Sequence, residues 1–338
     1  MSGGIAQLVA IGAQDAHLVG EPEVSFFRSN YKRHTNFAQT VERQTIQGNP
    51  TNGGMSTVRF ERKGDMLGYV YFSDRDANLA SWMNQVKKVE LLIGGQVIDE
   101  QDEHFSNYLA PILMNQTYSK QTYPDYYRRV FYPLRFSFCE NAQSAIPLIA
   151  LQYHDVELRI TWNDDNVSDD VEVYAQFIHL DTDERTALAN TPQNMLITQT
   201  QKSIASGDKV QELNFNHPVK YIAFRDTPAN FADSDKLKLQ INGTDVTDYK
   251  NIEPHFKSAP VYYHTQFGNL STVPTLCLIP FCLDTTKLQP TGTLNFSRLD
   301  SARLLASSSN KNFSENVYGV NYNILRIENG MGGLMYSN

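Results

Sequence analysis

The chain has 338 residues, long enough to bury roughly three quarters of its unfolded surface without disulfide staples. Its 41% hydrophobic and 20% charged content exclude a disordered chain. The net charge of -8 excludes a protein that wraps nucleic acid, since phosphate binding needs an excess of Lys and Arg.

In chain order, residues 1–22 are Gly-rich and weakly apolar without clear periodicity, and read as an arm. A local basic cluster follows at Arg28, Lys32 and Arg33. The apolar run 5–13 is too short to span a bilayer, which takes about 20 residues, and no signal peptide is visible. A strand is expected from about Glu23, with Val24, Phe26 and Phe27 as its apolar residues.

From there the dominant signal is period two, the mark of half-buried strands. Val156-Glu157-Leu158-Arg159-Ile160-Thr161-Trp162 alternates strictly. So does Lys236-Leu237-Lys238-Leu239-Gln240-Ile241, which ends in the hairpin pair Asn242-Gly243. Residues 58–61 alternate too, and 89–93 form a dense apolar run, covered on both faces, that stops at Gly94-Gly95. Further strands are expected at 69–72, 174–180, 219–224 and 318–327. Eighteen Phe and 18 Tyr against 2 Trp fit this β-rich reading.

Helix is scarce, with candidates at 78–88 and 104–114. The best-signalled begins at Asp181, which can cap, with Glu184 three residues on and Pro192 limiting its length. The stretch 163–170, Asn-Asp-Asp-Asn-Val-Ser-Asp-Asp, reads as a solvated linker between two β domains. The division expected is an arm at 1–22, a first domain at 23–165 and a second at 166–338.

No catalytic, cofactor-binding or metal-binding residue emerges. The eight histidines include no His-x-His or His-x-x-x-His pair. Tyr153-His154-Asp155 lacks a serine on a nucleophile turn, so His154 is read as structural. Asp181-x-Asp183-Glu184 lacks the glycine and distal glutamate of a calcium loop. Gly330-Met331-Gly332-Gly333 lacks the Lys-Ser/Thr of a phosphate loop. Three cysteines, Cys139, Cys277 and Cys282, are too few and too odd in number for a disulfide framework, and imply a reducing compartment. Six glycosylation triplets, at Asn115, Asn166, Asn242, Asn269, Asn295 and Asn312, matter only on a secretory route.

Several stretches together resemble the major capsid proteins of nucleocytoplasmic large DNA viruses, the iridovirus and phycodnavirus type. They are Gln7-Leu-Val-Ala-Ile-Gly-Ala-Gln-Asp15 with Phe26-Phe27 and Tyr31-Lys-Arg-His-Thr-Asn-Phe37, then Val89-Glu-Leu-Leu-Ile-Gly-Gly-Gln-Val-Ile-Asp99. Pro147-Leu-Ile-Ala-Leu-Gln-Tyr-His-Asp-Val-Glu-Leu158 is the most specific. The second half adds Leu180-Asp-Thr-Asp-Glu-Arg185, Leu213-Asn-Phe-Asn-His-Pro-Val219, Gly292-Thr-Leu-Asn-Phe-Ser-Arg298 and Tyr322-Asn-Ile-Leu-Arg-Ile-Glu-Asn-Gly330. The resemblance implies an all-β fold of two tandem eight-stranded jelly rolls with few short helices. It also implies a non-enzymatic shell protein whose homotrimers form pseudo-hexameric capsomers of an icosahedral virion, assembled in the host cytoplasm. Implied partners are neighbouring capsomers, minor capsid proteins and an internal membrane, with no sequence-specific nucleic acid. The chain is short for that family, which implies reduced loops. The alternatives are a minor or accessory capsid protein of the same family and a carbohydrate-binding β-sandwich. The last would display exposed aromatics, including Trp82 or Trp162.

Overall fold

The computed structural model describes residues 12–75, 82, 85–114, 131–225, 231–266, 276–307 and 311–337. Residues 1–36 form one unit and 37–338 another. In the first, the described part contains only two short helical turns, Ala13–Asp15 and Ala16–Val19. The strand expected from Glu23 is not formed: Phe26 and Phe27 lie at a turn, 93% and 98% exposed. Val24, like both aromatics, is exposed, so no face of this stretch is buried. Residues 1–11, the bulk of the expected arm, lie outside the described residues.

The second unit holds two sets of strands. The first set comprises β1 (Phe37–Gln44), β2 (Ile46–Gln47), β3 (Met55–Arg59), β4 (Met66–Asp74), β5 (Val86–Ile93), β6 (Gln96–Asp102), β7 (Phe131–Pro133), β8 (Ile146–Pro147), β9 (Val156–Trp162) and β10 (Val171–Leu180). The second comprises β11 (Gln193–Ser203), β12 (Val210–Glu212), β13 (Pro218–Arg225), β14 (Lys236–Ile241), β15 (Thr244–Asp245), β16 (Lys250–Asn251), β17 (Leu276–Pro280), β18 (Leu294–Asn295), β19 (Ala302–Ala306), β20 (Val317–Glu328) and β21 (Met331–Leu334).

Both sets follow one plan. The first set pairs as β1-β10-β4-β7, with β8 also on β4, and as β2-β3-β9-β5-β6. The second pairs as β11-β20-β13-β17, with β18 also on β13, and as β12-β19-β14-β15, with β16 also on β14. With split strands counted once, and β21 set aside as a hairpin strand added onto β20, each set has eight positions, sheeted as 1-8-3-6 and 2-7-4-5. This is the jelly-roll order, present twice in tandem. Even an irregularity repeats. Pairing slips a residue between β4 and β10 and again between β13 and β20, each time at the third strand position.

Alternation explains how each sandwich closes. In β9, Val156, Leu158, Ile160 and Trp162 are buried while Glu157, Arg159 and Thr161 are half-buried, as their period requires. They meet Leu67, Val70, Phe72, Val173 and Phe177 from the opposing sheet in one core. The second core gathers Val219, Ile222, Phe224, Leu237, Leu239, Leu304 and Val317 in the same way. The Asn242 and Gly243 backbones turn with φ of 49° and 76°, forming the anticipated hairpin between β14 and β15.

Two expectations are corrected. The acidic stretch 163–170 does not separate the halves, because β10, which follows it, pairs with β1 and β4 of the first set. Its carboxylates serve local structure: Asp164 pairs with Lys87 at 2.9 Å and Asp170 with Arg75 at 3.2 Å. The passage between the halves is instead the helix Thr182–Asn190, capped by Asp181, which accepts the Thr182 N–H at 2.8 Å. The helix expected at 78–88 falls partly outside the described residues, and its end is strand, since β5 begins at Val86.

Candidate functional site

The His154 Nδ1 lies 2.9 Å from the Gly332 carbonyl, joining the loop before β9 to β21. Asp155 pairs with Arg59, and Tyr153 points to solvent. Gly330 forms the turn between β20 and β21 with φ of 78°. Cys277 and Cys282 are buried thiols, and Trp82 and Trp162 are fully buried. The Trp162 indole donates to the Ser56 hydroxyl at 2.7 Å. The exposed tryptophan of a sugar-binding face is therefore not available. Among the described residues, no group of three His, Cys, Asp or Glu could hold a metal ion. No helix there is long and apolar enough to cross a membrane. Of the glycosylation triplets, Asn115 and Asn269 lie outside the described residues.

What the fold does build is a joined pair of barrels. The junction has a polar layer. Thr200 on β11 donates its N–H to the Asp99 carboxylate on β6 at 2.7 Å, and the Gln199 amide donates to the Ile98 carbonyl. Asn323 on β20 donates to Gln199 at 2.8 Å, and Gln101 donates to Asp99 at 3.2 Å. All of these side chains but Thr200 are almost completely buried. Burial pushes the Asp99 carboxyl up to about 8, against the opposing pull of the Thr200 and Gln101 donors. Nearby, the Tyr318 hydroxyl donates to Asp102 at 2.8 Å, and Lys202 pairs with the same carboxylate at 3.2 Å. Burial and the Asp102 charge both raise the Tyr318 hydroxyl well above a free tyrosine. Lys220, also buried, donates to the Thr285 carbonyl at 3.1 Å, and burial lowers its pKa. Polar groups removed from water in this way fix one relative placement, because any other would leave them unpaired.

The junction is apolar on either side of that layer. Ile197, Leu325 and Ile327 of the second half extend the first core. A third cluster forms where the connection from β6 to β7 crosses the second half. Its helical segment, Phe105–Leu109 continuing as Ala110–Leu113, lays Phe105, Leu109 and Leu113 on Tyr221, Ala223, Leu276, Leu278 and Val320. These belong to the outer face of the sheet β11-β20-β13-β17, opposite its core face. The equivalent face of the first half, on β1-β10-β4-β7, carries Val41, Tyr69, Tyr71 and Tyr174. Tyr71 stacks on Tyr174 with centroids 5.5 Å apart. Val41 and Tyr69 are exposed, and Tyr71 and Tyr174 are half-buried.

Two jelly rolls in tandem, joined through a buried polar layer, define a double jelly-roll protein. Comparison with known proteins gives the family. Residues 25–193 match the major capsid protein N-terminus model, and residues 234–333 match the large eukaryotic DNA virus major capsid protein model. The chain belongs to the major capsid proteins of large DNA viruses, a family of structural capsid components rather than enzymes. It is 33% identical to the major capsid protein of Pyramimonas orientalis virus, over the whole of both chains. It is 30% identical to that of Paramecium bursaria Chlorella virus 1, again over the whole of both. Those alignments run to 405 and 441 positions against 338 residues here, so both relatives carry stretches without a counterpart in this chain. Among solved structures, the PBCV-1 virus capsid superposes with a TM-score of 0.77 at 26% identity, covering 93% of this chain and 100% of that one. The Faustovirus major capsid protein shares the fold at a TM-score of 0.62 and 10% identity.

The sequence pointed to this architecture but not to the junction. Gln199, Asn321 and Asn323 are buried polar residues at strand positions where a periodicity reading expects apolar ones. The apolar spacing of Phe105, Leu109 and Leu113 was a visible signal of a covering helix, though not of what it covers.

Proposed function

We propose that three copies of the chain assemble into a capsomer of pseudo-hexagonal outline that tiles an icosahedral shell. The observation that carries this is the repeated strand order: one chain supplies two barrels of the same topology, so three chains supply six. A threefold body with six similar lobes meets its neighbours in a nearly hexagonal lattice, which is how a small closed symmetry covers a large facet. The work is geometric. Two sheets about 10 Å apart form a stiff wall, and the buried polar layer prevents the two barrels from turning against each other.

On this reading the protein resides in the virion shell and is assembled in the host cytoplasm. The arm at residues 3–22 reaches neighbouring capsomers, minor capsid proteins or an internal membrane, and the genome is enclosed without sequence recognition. The barrels themselves divide at the helix Thr182–Asn190, with the first ending at Leu180 and the second beginning at Gln193. Light scattering on the purified protein tests the trimer: a stable species of three times 38.3 kDa is expected. A monomer at every concentration would overturn it.

A further inference from the structure

Lys220 stands apart from the other buried charges. The register of β13 against β20 slips between Val219 and Tyr221, which leaves Lys220 as the extra residue of a bulge, and a bulge re-aims the side chain it carries. Lys220 is 4% exposed. Its ammonium lies 6.0 and 5.2 Å from the ring centroids of Tyr221 and Tyr322. It donates to the Thr285 carbonyl at 3.1 Å and, among the described residues, forms no ion pair. Lys257, also buried, has the Asp233 carboxylate at 2.8 Å. Nor does the fold require a lysine here: the matching slip in the first barrel, between β4 and β10, falls at Gly68 and Tyr69.

The two residues that flank this ammonium carry hydroxyls with nothing to bond. The side-chain oxygens of Tyr322 and Thr285 are buried and have no hydrogen-bond partner. Burial keeps the Tyr322 hydroxyl protonated far above the ordinary tyrosine range and keeps the Cys282 thiol neutral. The carboxylates whose charge reaches Lys220 are Glu140 and Asp284. Asp284 is engaged by the Thr286 N–H and hydroxyl at 2.8 and 2.6 Å. The group thus combines a positive charge with a surplus of donors, against one carbonyl acceptor. Buried charges and buried polar groups are costly unless paired. A water molecule would bring two further donors and no charge, whereas a small anion accepts from several donors at once and balances the ammonium.

We propose that Lys220, Thr285 and Tyr322 bind a buried halide, chloride under ordinary conditions, between β13, β20 and the loop that follows β17. That loop is already fastened at two points. The Phe281 N–H donates to the Lys220 carbonyl at 2.9 Å, and the Thr285 N–H donates to the His264 carbonyl at 2.9 Å. The His264 Nδ1 in turn lies 3.0 Å from the Cys282 carbonyl. The anion is a third tie, drawing the loop and the helix Ser258–His264 onto the second barrel. All of its ligands come from one chain, so the site does not depend on how chains associate.

The full chain, crystallised with bromide in place of chloride and measured at the bromine absorption edge, tests this directly. An anomalous peak in contact with the Lys220 ammonium and at least one of the two hydroxyls is expected. A water at that place without anomalous signal would overturn the proposal, as would peaks confined to exposed side chains, an adventitious ion only. In solution, melting is followed as chloride replaces gluconate at constant ionic strength. The wild type should gain about 2 °C for each tenfold rise in chloride beyond half-saturation. The double substitution Thr285→Val with Tyr322→Phe removes both hydroxyls and keeps the shapes, and should need about tenfold more chloride for the same gain. Lys220→Met should not respond to chloride. An unresponsive wild type, or equal responses in the wild type and Lys220→Met, would overturn the assignment. Should Lys220→Met misfold, the hydroxyl variant and the bromide peak decide the matter.

Discussion

Asp99 should make the protein less stable as the solution turns alkaline, in a way a single substitution can isolate. Its carboxyl is buried in the layer between the two barrels, with its proton affinity raised to about 8 from an ordinary 3.8. A carboxylate that holds its proton more tightly in the folded state favours folding most when it is protonated in both states. That contribution is complete below about pH 4 and is lost as pH climbs through 8. Each pKa unit is worth about 1.36 kcal/mol, so the full swing is about 6 kcal/mol, of which about 2 kcal/mol falls between pH 6 and 8. Asp99→Asn keeps the shape and the acceptor for the Thr200 N–H but cannot ionise. Urea unfolding of both proteins from pH 5 to 9 gives the difference in stability at each pH. That difference should shift by about 2 kcal/mol in favour of the variant between pH 6 and 8 and level off above the carboxyl's own pKa. A difference independent of pH would show that Asp99 is ionised in the folded protein, and the account of the junction as a dry layer would be wrong.

Other perturbations probe the remaining joints. Leu109→Ala empties a fully buried site under the covering helix and should cost about 2–5 kcal/mol in urea unfolding; a loss below about 0.5 kcal/mol would mean that the helix does not seat there. Asp65→Ala removes the acceptor of the Leu180 N–H at 2.8 Å and of Arg185 at 2.9 Å, where the chain leaves the first barrel. A loss of about 1–3 kcal/mol is expected in the same assay, and an unchanged midpoint would contradict it. Gly94 and Gly95 form a natural pair, with φ of 58° and 82° in the turn between β5 and β6. A Cβ on Gly94 would lie 2.3 Å from the His154 ring, whereas one on Gly95 meets nothing within 4 Å. Gly95→Ala should therefore cost only the left-handed strain, about 1–2 kcal/mol, and Gly94→Ala clearly more; equal losses by thermal melting would refute the contact.

Much of the fold was legible because most strands have one wet and one dry face. β9 and β14 fall where alternation puts them, and Asn242-Gly243 turns as its residue types demand. The reading faltered where burial and polarity part company. β11, Gln-Asn-Met-Leu-Ile-Thr-Gln-Thr-Gln-Lys-Ser, shows weak alternation because its buried Gln199 donates to the Ile98 carbonyl of the other barrel. β1 was missed because an edge strand that is exposed along most of its length has little apolar pattern to read. The run at 163–170 looked like a linker because four carboxylates in eight residues suggest solvent, and sequence does not show that Lys87 and Arg75 wait opposite two of them. The repeat between the halves was invisible for a related reason: jelly-roll pairing constrains pattern and register, not residue identity. The candidate surfaces followed the same rule. Tyr71 and Tyr174 could be assigned to strands, but only the pairing of β4 with β10 brings them onto one face.

The central claim is that one chain contributes two barrels to a ring of six. Cryo-electron microscopy of the purified protein addresses it directly. The account predicts a near-hexagonal outline with six barrel densities, alternating between the two halves of the chain. A single chain, a ring with another number of barrels, or three lobes in which the two halves of a chain lie apart would contradict it.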